Sequence, residues 1–368
     1  MINTDQNKFF VDSLEKWNLD YNTRVMPWKG ERDPYKIWLS EIILQQTRVE
    51  QGLKYYNSFI NAFPTIRDLA QASETAVFKL WQGLGYYTRC KNLLATAKFI
   101  TEKLHGNFPN TYPEILSLKG IGVYTAAAIG SFAFDLPHAV VDGNVFRVLA
   151  RYFGIDTPID STGGKKLFTL LANELLDKKQ PATYNQALMD FGAVICKPQL
   201  PFCSTCVLKS RCKAFISGKV HLLPVKEKKI IKKERWFYYM VIEYNDAIYL
   251  RKRGKGDIWE NLFEFVLTEH TEELKEWHTK VLPTLTNTGN IKTVDISSYY
   301  RQLLTHQIIQ GQFIHVIIKA PISMRGYKLI SKNALHELPF PKFISKYLED
   351  KNVSLNLFQG KNDRILWN

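Results

Sequence analysis

The chain of 368 residues is longer than one typical domain, so we expect two domains, each with its own core. Its net charge of +14 and pI near 9.3 favour a polyanionic partner, although a basic protein that merely stays in solution would carry the same charge. The sequence lacks an uncharged apolar run of about 18 residues and a signal-peptide pattern, which excludes membrane-spanning and secreted classes and predicts a soluble intracellular protein.

Residues 1 to about 216 place apolar side chains every three or four positions, which predicts a mainly helical domain. Asp33 and Pro34 mark a helix start, with Asp as the N-cap and Pro in the first turn, and predict a helix over residues 35–51. Further helices are predicted over residues 52–63, 73–81, 86–105, 113–119, 123–134, 143–153, 164–178 and 183–194.

The stretch from Leu118 to Asn144 contains a two-glycine turn, Gly120 and Gly122, between two predicted helices. Glycines leave backbone N–H groups uncovered, so such a turn can contact a DNA phosphate, although many turns of this kind only reverse the chain. Asp142 precedes the helix that follows. As its N-cap, Asp142 would be held ionised by backbone N–H groups and the helix dipole.

Four of the five cysteines lie within seventeen residues, at Cys196, Cys203, Cys206 and Cys212. In a reducing compartment this clustering favours a metal site over disulfides. Structural zinc sites use two close cysteine pairs, whereas this run has one C-x2-C pair and unequal gaps. The spacing therefore favours an iron-sulfur cluster and leaves zinc as the alternative.

A change in composition divides the chain. Residues 217–235 are rich in lysine and are predicted to form a basic linker, which either contacts DNA or serves only as a spacer. Beyond it, period-two apolar segments and a predicted helix over residues 271–282 indicate a separate α+β domain over residues 236–350, followed by a tail at 351–368.

Several long motifs occur in the order typical of one enzyme family. They are MPWK, DPYKIWLSEIILQQTRV, LWQGLGYYTRCKNL, LKGIGVYTAAAI, VVDGNVFRVLAR, YNQALMDFGAVIC and the cysteine run. With them the chain resembles the adenine DNA glycosylases of the MutY type, within the helix-hairpin-helix glycosylase superfamily. The resemblance implies a helix-hairpin-helix domain with a [4Fe–4S] cluster held by the four cysteines.

The implied reaction is monofunctional removal of adenine mispaired with 8-oxoguanine or guanine. Base excision needs an acid to activate the leaving base and an anion to stabilise a cationic sugar. Glu41 lies among apolar residues of its predicted helix, and burial would keep it protonated as the general acid towards adenine N7. Asp142 would stabilise the oxocarbenium ion. Tyr124 occupies the position of the lysine in bifunctional relatives, which argues against strand cleavage.

Further roles follow from the resemblance alone. Asn144 would orient the carboxylates or water, and Lys119 departs from the proline usual in the family hairpin. Residues implied in contacts with DNA or with the extruded adenine are Trp28, Lys29, Gln46, Thr47, Leu84, Tyr86, Gly120, Gly122 and Gln186.

The C-terminal domain resembles the Nudix-like recognition domain of the same family, without the glutamate-rich helix that binds magnesium. Leu304, Thr305 and His306 replace the family's Phe-Ser-His loop, and the Thr305 hydroxyl can donate or accept at the modified guanine. The expected partner is duplex DNA bound by a monomer, in the cytoplasm at a bacterial nucleoid.

Two rival functions use the same motifs. One is a bifunctional glycosylase and lyase for oxidised pyrimidines, which Tyr124 and the second domain disfavour. The other is a DNA-binding or redox-sensing protein without catalysis, which Glu41 and Asp142 disfavour.

Overall fold

The computed structural model describes residues 4–227, 231–277 and 291–350, with residues 292–294 described by their backbone alone. Over these residues the chain forms two compact units. The first comprises residues 4–71 and 92–227, and the second comprises residues 72–91, 231–277 and 291–350. The second unit therefore takes a segment from within the helical half of the sequence. The predicted tail at 351–368 lies outside the described residues, and the predicted domain boundaries stay predictions.

The N-terminal half is helical, as its periodicity predicts. Its helices are α1 Thr4–Asp20, α2 Pro34–Leu44, α3 Val49–Ala62, α4 Ile66–Gln71, α5 Glu74–Trp81, α6 Tyr87–Lys103, α7 Tyr112–Ser117, α8 Val123–Phe134, α9 Gly143–Phe153, α10 Thr162–Leu175, α11 Pro181–Val194 and α12 Lys213–Ile216. No helix in the described residues combines the length and apolar character needed to cross a membrane.

The helix predicted over residues 35–51 is wrong as a single element. The Asp33 carboxylate caps α2 as expected, accepting from the Tyr35 backbone N–H. However, α2 ends at Leu44, and α3 begins at Val49. Between them Gln46 has a φ of 58°, a left-handed conformation that cannot continue an α-helix. The break gives Gln46 an exposed position beside the apolar α2.

Two glycines near the predicted site residues lie where a side chain would collide with a neighbour. Gly120 in the predicted hairpin has a φ of 80°, and a Cβ there would lie 2.7 Å from the Cβ of Asn92. Gly192 on α11 faces α9 closely, because a Cβ there would lie 2.7 Å from the Cβ of Asn144. Gly122 has open space around it and precedes α8 as its N-cap.

The second unit is built on a mixed sheet. Its strands are β1 Lys233–Tyr244, β2 Ala247–Lys252, β3 Phe263–Glu264, β4 Val266–His270, β5 Ile291–Ile296, β6 Tyr300–Leu303, β7 Gln307–Ile318 and β8 Lys328–Ser331. The path β3-β2-β1-β7-β5 runs through a long parallel pairing of β1 with β7, and the other pairings are antiparallel. The predicted α+β character is thereby confirmed.

One helix, α13 Lys342–Glu349, packs on this sheet through aromatic side chains. The ring of its Tyr347 stacks on Phe313 of β7 with centroids 4.0 Å apart. Of the helix predicted over residues 271–282, the part from residue 278 onward lies outside the described residues.

The segment 72–91 joins the second unit through polar contacts. The Lys79 ammonium donates to the Leu338 carbonyl over 3.2 Å. The amide of Gln82 accepts from the Phe340 N–H and donates to the Ser345 hydroxyl over 2.8 Å. Because these contacts hold the C-terminal end of α5, the loop after α5 stays with the sheet unit.

Candidate active site

The first unit contains a cavity of about 830 Å³ between α2, α8, α9 and α11. Ten residues singled out from the sequence line it. They are Trp28, Lys29, Glu41, Gln46, Thr47, Gly122, Tyr124, Asp142, Asn144 and Gln186. Residues separated by more than 150 positions thus meet around one space, and this space is large enough for a flat heterocycle.

Glu41 lies on α2 with 7% of its surface exposed. The Tyr124 hydroxyl on α8 donates to Glu41 Oε2 over 2.7 Å. Burial raises the pKa of Glu41 to about 7, the Tyr124 hydrogen bond opposes that rise, and the Asp142 charge adds to it. With Oε2 accepting from tyrosine, Oε1 is the oxygen available to carry a proton.

Asp142 is the N-cap of α9, as predicted. Its Oδ1 accepts from the Val145 N–H over 2.8 Å, and its Oδ2 accepts from Asn144 Nδ2 over 2.7 Å. Burial nevertheless raises the pKa of Asp142 above its ordinary value, against the lowering by these hydrogen bonds and by Arg147. The predicted cap is present, but the sequence did not reveal how deeply the carboxylate is buried.

Arg147 is a site residue that sequence reasoning missed. From α9 its guanidinium donates to Asn144 Oδ1 over 2.8 Å, to the Gly192 carbonyl over 2.7 Å and to the Cys196 carbonyl over 2.7 Å. It therefore connects the Asn144–Asp142 pair to the start of the cysteine loop. The only available signal was its position three residues after Asn144, on the same face of a helix.

The four clustered cysteines lie on one side of the core of the first unit. Cys196, Cys206 and Cys212 pack against its buried residues. Burial raises the pKa of Cys206 to about 12, a backbone N–H opposes the rise, and the charges of the other three thiols add to it. Arg151 Nη1 lies 3.5 Å from Cys196 Sγ. The four thiols thus interact electrostatically, and Cys206 and Cys212 receive backbone N–H groups.

Among the described residues, no three His, Cys, Asp or Glu side chains are close enough to hold a single metal ion.

The second unit contains another cavity, of about 450 Å³. It brings together four other sequence-predicted residues, Leu84, Tyr86, Thr305 and His306. The Tyr86 hydroxyl and the Thr305 hydroxyl are hydrogen-bonded to each other. Gly120 lines neither cavity.

Tyr86 is held in an uncommon conformation. Its φ is 49°, its side chain is 42% exposed, and the Arg89 guanidinium lies 5.3 Å from its ring centroid. A left-handed non-glycine residue costs about 1 kcal/mol or more and persists only when its surroundings hold it. Gln46 has the same conformation, so both residues predicted to enter the DNA stack carry this strain.

An arginine network supports the second cavity. Arg235 on β1 binds both oxygens of Asp257 over 2.7 Å and donates to Gln307 Oε1 over 3.1 Å. Asp257 lines the cavity, and Gln307 directly follows His306. Arg253 also donates to Asp257 over 2.7 Å. The buried Arg235 therefore holds Asp257, which lines the cavity, together with Gln307, the residue that follows the 304–306 loop.

Comparison with known proteins agrees with this geometry. The model of the HhH-GPD superfamily base excision DNA repair proteins matches residues 39–170, and the model of the NUDIX domain matches residues 238–350. The predicted helix-hairpin-helix and Nudix-like folds are thereby confirmed.

Individual proteins with sequences or structures similar to this chain are also DNA glycosylases. The chain is 36% identical over 311 residues to an adenine DNA glycosylase of Buchnera aphidicola subsp. Baizongia pistaciae, covering 84% of this chain and 86% of that protein. It is 41% identical over 214 residues to the human adenine DNA glycosylase, covering 56% of this chain and 39% of the human one. The solved structure of a thermostable thymine-DNA glycosylase aligns with a TM-score of 0.54 at 30% identity, covering 58% of this chain and 98% of that chain.

The raised pKa of Glu41 predicts a specific pH dependence of stability. Between pH 4.5 and about 7 the unfolded chain releases the Glu41 proton while the folded chain keeps it, so stability is lost as pH rises. The interval corresponds to about 3 kcal/mol. Glu41→Gln should therefore be more stable than the wild type at pH 8 and gain much less at pH 5, as measured by urea unfolding.

The same exchange at Glu102, which is exposed on α6, provides the control and should show no such difference between the two pH values. A Glu41→Gln variant with equal gains in stability at pH 5 and pH 8 would contradict the assignment of this pH dependence to Glu41.

Proposed function

The chain belongs to the adenine DNA glycosylases of the MutY family, and from that premise we propose that Glu41 and Asp142 perform the excision of adenine within the cavity of the first unit. The protein is an enzyme of base excision repair that acts on DNA. The observation that carries the proposal is a buried Glu41 with a pKa of about 7, placed with the capped Asp142 around one cavity.

The two carboxyl groups have environments that suit different tasks. Glu41, among apolar side chains and with one neutral hydrogen-bond partner, keeps its proton near neutral pH and can deliver it to N7 of an extruded adenine. Asp142 is surrounded by donors, and a developing cationic sugar would favour its ionised form further. Protonation of the base and stabilisation of the sugar together weaken the N-glycosidic bond.

Neighbouring residues complete the proposed reaction. Tyr124 orients the Glu41 carboxyl, and because a phenol cannot form an imine, the reaction ends at the abasic site. Asn144 and Arg147 hold Asp142 in place. The rival bifunctional lyase would need an amine in this cavity, and the ammonium of Lys29, a residue of its wall, is instead bound to Asp190 over 3.0 Å.

Recognition of the opposite base is proposed for the second unit. The Thr305 hydroxyl, hydrogen-bonded to Tyr86, can accept from the N7–H that 8-oxoguanine has and guanine lacks. We assign Gln46 and Tyr86 to entry into the base stack, and Thr47 and Leu84 to contact with the opposite base. Gly120, Gly122 and the adjacent Lys119 would contact the DNA backbone, and His306 would approach the same strand as Thr305.

A [4Fe–4S] cluster is the proposed cofactor, held by Cys196, Cys203, Cys206 and Cys212. The donor set fits it, since four cysteines supply four thiolate ligands, the thiols interact electrostatically, and the Arg151 guanidinium lies 3.5 Å from Cys196 Sγ. The bound cluster would crosslink the loop after α11 to the helical core. The enzyme would act as a monomer on adenine opposite 8-oxoguanine or guanine, in the cytoplasm of a bacterium at its nucleoid.

Catalysis by Glu41 predicts two distinct variant phenotypes. Glu41→Gln cannot donate a proton and should slow single-turnover adenine release by about 1,000-fold while still binding lesion duplex. Tyr124→Phe removes the hydrogen bond that lowers the Glu41 pKa. Its rate should therefore stay high to a more alkaline pH than that of the wild type, whose rate falls as pH rises through about 7. Normal turnover by Glu41→Gln would contradict the assignment of Glu41 as the proton donor.

The Thr305 hydroxyl is expected to contribute to the choice of the opposite base. Thr305→Val keeps the shape and removes the hydroxyl, so the preference for adenine opposite 8-oxoguanine over adenine opposite guanine should fall about 2- to 10-fold. Thr305→Ser keeps the hydroxyl and is the matched control. Equal preferences in all three proteins would exclude a role for this group.

The cluster assignment predicts about four iron atoms per chain and broad visible absorption in the purified protein. Cys203→Ser should lose iron, whereas Cys90→Ser should retain it, because the buried Cys90 lies on α6 apart from the run. Stoichiometric zinc without colour would contradict the proposal.

A further inference from the structure

A buried carboxylate lies behind the wall of the first cavity. Asp190 on α11 has no exposed surface and accepts four hydrogen bonds. Its Oδ1 accepts from Arg24 Nη1 over 2.8 Å and from Gln186 Nε2 over 2.9 Å. Its Oδ2 accepts from Asn22 Nδ2 and from Lys29 Nζ, each over 3.0 Å. Of these partners, Arg24, Lys29 and Gln186 line the cavity.

This arrangement determines which atom of Gln186 can form a hydrogen bond with a ligand. A carboxylate has no proton to donate, and Asp190 forms ion pairs with Arg24 and Lys29. The amide of Gln186 therefore turns its nitrogen to Asp190, so the carbonyl Oε1 is the atom turned away from that carboxylate. A flipped amide would bring two oxygens together at a buried site, which is unfavourable.

We propose that Asp190 is a positioning residue for base specificity, because it holds Gln186 with its carbonyl oxygen towards the bound base. This inference rests on the proposed function, since it assumes that the cavity takes the extruded adenine. A fixed acceptor pairs with the 6-amino group of adenine. It meets the 6-oxo group of hypoxanthine with another oxygen, so the cavity selects a 6-aminopurine over a 6-oxopurine.

The i, i+4 spacing of Gln186 and Asp190 makes the orientation a property of α11 itself. Both side chains lie on one face of the helix, one turn apart. The ion pairs with Arg24 and Lys29 then keep Asp190 from turning away. The orientation of the Gln186 amide is thus set by its neighbour on α11.

The test compares three bases opposite the same partner, namely adenine, unsubstituted purine and hypoxanthine. For each, the single-turnover rate of a variant is divided by that of the wild type, which cancels the intrinsic lability of the glycosidic bond. Asp190→Asn permits the Gln186 amide to flip. It should lower the ratio of adenine to hypoxanthine excision about tenfold, with purine in between. Damage to folding alone would slow all three bases by one factor.

Two further variants sharpen the test. Asn22→Ala removes a different donor from Asp190 and is the matched control, whose three ratios should stay equal to one another. Gln186→Glu combined with Asp190→Asn exchanges carboxylate and amide, so that the side chain at 186 again offers an acceptor. This double variant should recover the preference for adenine.

Equal factors for the three bases in Asp190→Asn would overturn the inference. If that variant does not fold, Gln186→Met decides, since an unchanged ratio of adenine to hypoxanthine there would show that the oxygen plays no part. A wild-type protein that released no adenine would instead overturn the proposed reaction, so the two failures can be told apart.

Discussion

The hydrogen bond from Tyr124 to Glu41 is the interaction on which the first site depends. It joins α8 to α2 inside the cavity, where a carboxyl group has lost most of its hydration. A phenol stabilises the ionised carboxylate only in part, so burial still dominates and the pKa of Glu41 stays near 7. A cation at the same place would have produced a permanently charged carboxylate. The choice of a neutral partner is therefore what leaves a proton available.

The second carboxyl group shows the opposite arrangement. Asp142 receives a backbone N–H at the start of α9 and the amide of Asn144, and Arg147 supports that amide from behind. Gly192 permits this approach, since a side chain there would displace Asn144. Because Arg147 also binds the Cys196 carbonyl, the position of Asp142 depends on how the loop after α11 is held. A cluster in that loop would thus serve the proposed reaction through geometry alone.

Much of the fold and of the candidate site could be predicted from local sequence signals. The parts that could not be predicted depend on contacts between residues far apart in the chain. The Asp33 cap, the cysteine run and the period-two strands are properties of neighbouring residues, which is why they could be read directly. The recruitment of residues 72–91 to the sheet unit was not foreseen, because it depends on partners more than 250 positions away, such as Leu338. Arg147 and Asp190 were overlooked for the same reason. A charged residue on a helix is ordinarily solvated, and only the folded chain reveals what surrounds it.

The left-handed conformations of Gln46 and Tyr86 have a consequence for attempts to stabilise this enzyme. Glycine adopts that region without strain, so a search guided by backbone conformation would select both positions for replacement. The replaced chain would relax at the two sites, yet it would lose the two side chains that we propose to enter the base stack. On these proposed roles, thermal stability and lesion search would compete at the same two residues.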